Sequence, residues 1–204
     1  KSALLRAIEV LKEEGLKSLW FKLLGETVYR RVVVVERILD ELIHPMTSRI
    51  PVTIKLMEKS DVGEYCEFYL DADRSDIQQR LDSGHWCFTA RHQGHIVHTC
   101  WAATQVFWFN YLSYEIQLAS DEAFIYDSYT DPSYRGLNIA ATRSVVMMRF
   151  FHSAGFRRLL GVVAPENQSA VRIPQKSGYH PIGTLGFFKI GPIKQDFGEI
   201  KGHP

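Results

Sequence analysis

Along residues 1–25 the apolar positions Leu4, Ile8, Leu11, Leu16, Leu19 and Leu23 recur at helical spacing, with Lys1, Arg6, Lys12, Lys17 and Lys22 set among them. That period predicts a helix with one apolar face, divided into two short helices where Gly15 weakens its middle. VYRRVVVVERIL changes to a β-branched run that reads as a strand, although its end also suits a helix. HPMTSRIP, with two prolines, interrupts the pattern and sets a boundary near residue 50. Beyond it, alternating and helical periods follow one another. VTIKLME (52–58) is a strand, and SDVGEYCEFYL and SDIQQRLDSG are helices, each opened by a Ser-Asp start signal. HWCFTARHQGHIVHTCWAATQVFWF reads as two strands around a Gln-Gly turn, and EAFIYDSYT as another. A helix from Tyr134 to about Ala154 closes at Gly155. FRRLLGVVAP is a strand, ENQSAVRIPQKSG a short helix ended by Gly178, and YHPIGTLGFFKI a last strand. This order predicts an α/β (α+β) fold with one mixed sheet and helices on its faces. The expected organisation is a helix-and-strand extension over 1–50, a main domain over 51–191 and a C-terminal tail over 192–204.

Composition narrows the picture. The chain has 204 residues, 46% of them hydrophobic, which suits one large domain with a substantial core. Lys+Arg number 24 against Asp+Glu 23, so charge gives no case for nucleic-acid binding. Cys66, Cys87 and Cys100 are too few and too irregular for a disulfide framework or a zinc site. They read as reduced, buried thiols of a cytoplasmic protein. No apolar run reaches the ~20 residues a membrane helix needs, and VVVV at 32–35 is flanked by Arg30, Arg31, Glu36 and Arg37.

The candidate chemistry begins where FIYDSYT runs into DPSYRGLNIAATRSVV. A strand entering a helix through Arg135, Gly136, Leu137, Asn138, Ile139 and Ala140 presents unpaired N–H groups at the helix start. Those donors and the helix dipole form an anion site, with phosphate as the usual guest. Gly136 allows close approach and a positive φ, Ala140 is small, and Arg135 adds a charge. Taken alone, a plain strand-to-helix turn with a surface arginine explains the same residues equally well.

The segment resembles the coenzyme A-binding motif of the GNAT superfamily of N-acetyltransferases, Arg/Gln-x-x-Gly-x-Gly/Ala, with Arg135 first, Ala140 last and Asn138 where the middle glycine stands. Asn tolerates the left-handed backbone that this position needs. A second stretch, Asn167-Gln-Ser-Ala170 followed by Gly178-Tyr179, resembles the family's Asn-x-x-Ala…Gly-Phe segment, and the element order agrees from about residue 52 to 190. The resemblance implies a mostly antiparallel sheet splayed between two neighbouring strands. It implies acetyl-coenzyme A as co-substrate, without a metal, its pyrophosphate on residues 135–140 and its arm against the backbone of Tyr129 and Thr130, with Asn167 also in contact. It further implies an oxyanion-stabilising main-chain N–H on the strand Ala123 to Thr130.

Amine attack on a thioester needs a base and an acid. The tyrosine that many relatives use as acid is replaced by Pro174, and the strand 158–164 lacks the glutamate that some use as base. Asp127, among apolar residues that would raise its pKa, is the first choice for base, against a structural carboxylate bonded to a nearby turn. Tyr129, on the same face by the period of two, would orient substrate or donate a proton, and Ser169 is a further acid candidate. His92, His95 and His98 invite a metal, but strand alternation sets His95 and His98 on opposite faces and no carboxylate completes a set.

WAATQVFWFNYLSYEIQL reads as a long strand with a packed loop, or as the aromatic wall of an acceptor or acyl pocket with Glu115 facing a cation. The lysine-bearing stripe of residues 1–25 suits a membrane-surface helix or, more commonly, a helix packed on the domain or on another subunit of a homo-oligomer. The expected activity is acetyl transfer to a primary amine of a small molecule or peptide. Transfer of a longer acyl chain, or a non-catalytic acyl-coenzyme A sensor or scaffold, stands as the alternative.

Overall fold

The computed structural model describes residues 29–164, 177–190 and 193–200. Ten strands are present among them: β1 (Tyr29–Ile38), β2 (Thr53–Leu56), β3 (Trp86–His92), β4 (His95–Ala103), β5 (Phe107–Phe109), β6 (Tyr114–Ile116), β7 (Glu122–Thr130), β8 (Arg158–Val163), β9 (His180–Ile190) and β10 (Ile193–Ile200). The α-helices are α1 (Val62–Phe68), α2 (Arg74–Asp82) and α3 (Ile139–Ser153). Eight strands form one sheet in the order β10-β9-β1-β8-β7-β4-β3-β2, and β5 pairs with β6 separately. Every pairing in the large sheet is antiparallel except β7 with β8. That parallel pair is joined by α3, as a parallel connection requires.

Strand alternation divides the core between the two faces of the sheet. Cys87 and Trp101 point to one face, where Val62 and Tyr65 of α1 and Ile77 of α2 cover them. Phe88 and Ala102, one residue along, point to the other, against Met147, Met148 and Phe151 of α3. Phe107 of β5 packs with Ala103, Phe124 and Leu160, so the small hairpin continues the α1/α2 layer.

Two irregularities in β7 matter for function. Its parallel ladder with β8 runs from Glu122↔Arg158 only to Ile125↔Gly161, after which the strands part. On the other edge, β4 advances from Thr99 to Trp101 while β7 retreats from Tyr129 to Tyr126. The extra residue is a bulge, and Asp127 within it has φ 47°.

The structure departs from the sequence reading in several places. The strand assigned to an N-terminal extension, β1, lies inside the sheet between β9 and β8; local periodicity carries no information on which strands it will join. Residues 193–200, read as tail, form the edge strand β10. The aromatic stretch is not one long strand: β4 stops at Ala103, and Phe107–Phe109 turns back onto Tyr114–Ile116. Helix α3 starts at Ile139 rather than Tyr134, because Pro132–Tyr134 forms a separate 3-10 turn. Asp73, not Ser75, caps α2, accepting from the N–H groups of Ser75 and Asp76. The expected helix over 1–25, and residues 166–176 of the expected helix that Gly178 ends, lie outside the described residues. No helix among the described residues is long and apolar enough to cross a membrane.

Candidate active site

The turn between β7 and α3 is built from consecutive local signals. Asp131 accepts from the Ser133 N–H at 2.7 Å, starting the 3-10 turn. Gly136 follows at φ 78°, and Asn138 takes the left-handed conformation at φ 61°, ψ 16°. The first helical bond runs from the Thr142 N–H to the Asn138 carbonyl at 3.0 Å. The N–H groups of Ile139, Ala140 and Ala141 therefore have no acceptor within the helix. Apart from its chain neighbours, no described residue comes within 4 Å of where a Cβ on Gly136 would stand, so a ligand has room above it. Below, Ile139 is buried with Ala90 and Val97, and Leu137 packs against them, holding the turn to the sheet. Oriented donors at the positive end of a helix, open to solvent on one side, suit a phosphate.

Where β7 and β8 part, a cavity of about 280 Å³ opens, lined by residues of both strands together with Arg143, Ser144, Ser177 and Tyr179. Arg143, only 4% exposed, reaches from α3 toward β7. Its Nε donates to Nε2 of His98 at 3.1 Å, and a terminal nitrogen donates to the Ser128 hydroxyl at 3.3 Å. With Nε2 accepting, the His98 proton is on Nδ1, which lies 2.8 Å from the Thr130 hydroxyl. Burial, and then the Arg143 charge, hold His98 well below its ordinary pKa, so it is neutral. Burial pushes the phenol of Tyr179 up, which keeps it protonated.

A second cavity, of about 720 Å³, lies on the α2 side, between that helix and the β5–β6 hairpin. Phe107, Trp108, Phe109 and Tyr111 supply an aromatic wall, and Asp76, Arg80, His85 and Asp127 the ionisable groups. Arg80 bridges Asp127 at 2.6 Å and Asp76 at 2.8 Å. Nδ1 of His85 lies 2.5 Å from the Tyr126 hydroxyl. Burial and the nearby Arg80 lower the His85 pKa, with Asp76 opposing. Tyr126 and Asp127 line both cavities, so only β7 divides them.

The profile of the Acetyltransferase (GNAT) family matches residues 54–179. The chain belongs to the GNAT family. Solved structures agree in fold. A GCN5-related N-acetyltransferase from Sphaerobacter thermophilus superposes with TM-score 0.56 at 17% identity, covering 82% of this chain and 54% of that one. The GCN5-related glucosamine N-acetyltransferase region of a fungal multi-domain GH3 β-N-acetylglucosaminidase gives TM-score 0.57 at 12% identity, over 82% of this chain and 21% of that one. AAC(6')-Iy, in complex with the bisubstrate analog CoA-S-monomethyl-acetylneamine, gives 0.50 at 17%, over 63% of this chain and 90% of that one. No curated protein matches the sequence. By its family this chain is an N-acetyltransferase.

Of the residues singled out in the sequence, Arg135, Gly136, Leu137, Asn138, Ile139 and Ala140 are together at the start of α3. Arg135 is beside the cradle, its Nε 3.4 Å from the Thr130 carbonyl. Thr130 lies on the free edge of β7, its hydroxyl against His98. Tyr129 faces the same side as Asp127, but its ring stacks on Tyr69 at 4.6 Å and packs edge-on to Phe68, and it lines neither cavity. Asp127 is not among apolar groups as expected: the bulge turns it to the guanidinium of Arg80. Asn167 and Ser169 lie outside the described residues. Glu115 is exposed on the hairpin, with the Gln117 amide 2.6 Å away.

The sequence reading missed His85, Arg80 and Arg143. For Arg143 a signal existed, because an arginine falls on the apolar stripe Ala140, Val145, Met147, Met148, Phe151 of α3. His85 follows Gly84 in an ordinary turn and had none.

Proposed function

We propose that this enzyme acetylates the primary amine of a small molecule by direct attack, with the amine in the α2-side cavity. The observation that carries the reading is the meeting of two cavities at Tyr126 and Asp127, one where β7 parts from β8 and the other aromatic and acidic. Coenzyme A supplies an activated acyl thioester. The N–H groups at the start of α3 hold its pyrophosphate, and the free edge of β7 takes its arm.

In the α2-side cavity two carboxylates, Asp76 and Asp127, face one guanidinium, Arg80, and His85 is neutral. The surplus negative charge favours an ammonium, and the aromatic wall favours an apolar or saccharide body. His85 is the base in this reading. With its Nδ1–H donating to the Tyr126 oxygen, Nε2 has its lone pair toward the cavity and accepts the amine proton. Asp127, held by Arg80, anchors the amine instead. The new C–N bond then forms as the C–S bond breaks.

Calorimetric titration of acetyl-coenzyme A into the wild type and Arg135→Glu tests the cradle, and thiol release with a panel of amino sugars, amino acids and small amines tests the acceptor. Binding weakened by Arg135→Glu, with turnover of at least one cationic amine, supports the reading. Binding without turnover of any amine favours a non-catalytic sensor, and absence of binding overturns the proposal.

A further inference from the structure

Among the described residues, Arg143 is a buried cation without a carboxylate partner. Its partners are neutral: the His98 imidazole, the Ser128 hydroxyl and, at 3.4 Å, the Met147 sulfur. Each terminal nitrogen of a guanidinium carries two hydrogens, and each here has one partner among the described residues, in one case only a thioether. An uncompensated buried charge is costly. A cation retained at such a place is explained when a negative charge arrives beside it during function.

The position says which charge. Ser128 stands on the stretch of β7 that β8 leaves unpaired, between Thr130 near the cradle and Ile125 where the ladder resumes. That stretch spans roughly 16 Å at strand rise, and Arg143 lines the cavity along it. Among the described residues, the ionisable groups facing Arg143 from the packed elements are His98 and Cys100 on β4, Asp127 on β7 and Tyr179 ahead of β9. His98 is neutral, burial pushes the Cys100 thiol up, burial keeps Tyr179 protonated, and the Asp127 carboxylate is bonded to Arg80. None of them neutralises Arg143.

Building on the acyl-coenzyme A reading, we propose that Arg143 stabilises the negative charge on the leaving sulfur, taking the part that a proton-donating side chain would otherwise play. As the amine nitrogen bonds to the carbonyl carbon, the C–S bond breaks and its electron pair goes to sulfur. The amine proton goes to His85, and the sulfur departs as a thiolate beside the guanidinium, to be protonated by water after release. This suits a sequence that carries Pro174 where the resembling family often has a tyrosine. It also gives His98 a role: a neutral imidazole, fixed by Thr130, orients the guanidinium without cancelling its charge.

The test is the ionisation of the thiol of bound coenzyme A, read from the ultraviolet absorbance of the thiolate, with a desulfo analogue as blank for the protein's own cysteines. In the wild type the bound thiol should titrate at least about one unit below the free thiol. In Arg143→Met, which keeps length and removes charge, that shift should vanish, and Arg143→Lys should restore part of it. Calorimetry on the same samples reports binding separately. A bound thiol that titrates alike in wild type and Arg143→Met overturns the proposal. If Arg143→Met fails to fold, the wild type decides: a bound thiol at or above the free value refutes the role. Failure of coenzyme A to bind the wild type would refute the acyl-coenzyme A reading itself, and this role with it.

Discussion

Replacing His98 by glutamine should flatten the acid limb of the stability curve. His98 is fully buried between β3, β7 and α3, accepts from Arg143 and is held neutral, so its folded pKa lies well below the ordinary value. In the unfolded chain it titrates near 6.5. The unfolded state therefore binds a proton that the folded state refuses, and stability falls as pH drops below the unfolded value toward the folded one. For one such group the loss between about pH 7.5 and about pH 5.5 is roughly 1.4 kcal/mol. The substituted amide has no proton to take up, but its carbonyl still offers an acceptor to the Arg143 Nε. Urea unfolding at the two pH values, for wild type and His98→Gln, isolates the contribution, since other histidines cancel in the comparison. The wild type should lose about 1.4 kcal/mol more than the variant over that interval. Equal losses would mean that His98 is protonated in the fold, and would remove the neutral acceptor assigned to Arg143.

His85→Gln should lower kcat/KM for the amine by about a hundredfold or more, and should abolish an acid limb that in the wild type falls below the ordinary histidine range, because burial and Arg80 lower the His85 pKa; a pH–rate profile decides it, and an unchanged limb would exclude His85 as base. Tyr65→Phe removes the hydroxyl that accepts from Nε1 of Trp101 at 2.9 Å in a fully buried pair. A stranded indole N–H should cost about 1–3 kcal/mol in urea unfolding while leaving coenzyme A affinity unchanged. At Gly186 an added Cβ would overlap the Arg30 carbonyl of the neighbouring strand and the Phe197 ring. Gly186→Ala should therefore destabilise the β1–β9 pair by about 1–3 kcal/mol, read from the shift in the urea midpoint.

Local chemistry made the cradle legible: the left-handed Asn138 and the positive φ of Gly136 follow from residue types that tolerate those conformations. The same holds for the β3–β4 hairpin, where Gln93 and Gly94 both take positive φ. What stayed hidden depends on partners distant in sequence. Asp127 looked apolar in its surroundings because its strand neighbours are, yet its counter-ion comes from a helix 47 residues earlier. The place of β1 between β8 and β9 is likewise a property of the sheet. The turn proposed as the ligand's anchor was more legible in sequence than the groups proposed near the reacting bond, because a turn is local and a reacting centre is an assembly.

The bulge in β7 ties that assembly together. A regular strand would alternate Tyr126 and Asp127 between the two faces. The extra residue places Tyr126 with Trp101, Asp127 with Arg80 and Tyr129 with Tyr69, all on the α1/α2 side, and leaves Ser128 to face Arg143 on the α3 side. One insertion thus sets a carboxylate toward one cavity and a hydroxyl toward the other. Left-handed backbone at a non-glycine residue costs roughly 1–2 kcal/mol, and the half-buried ion pair with Arg80 offsets part of that. Strain of this kind persists where surrounding structure over-determines it. Here α2 does so through Arg80, which ties the geometry of β7 at the cavity junction to the helix that lines the proposed acceptor site.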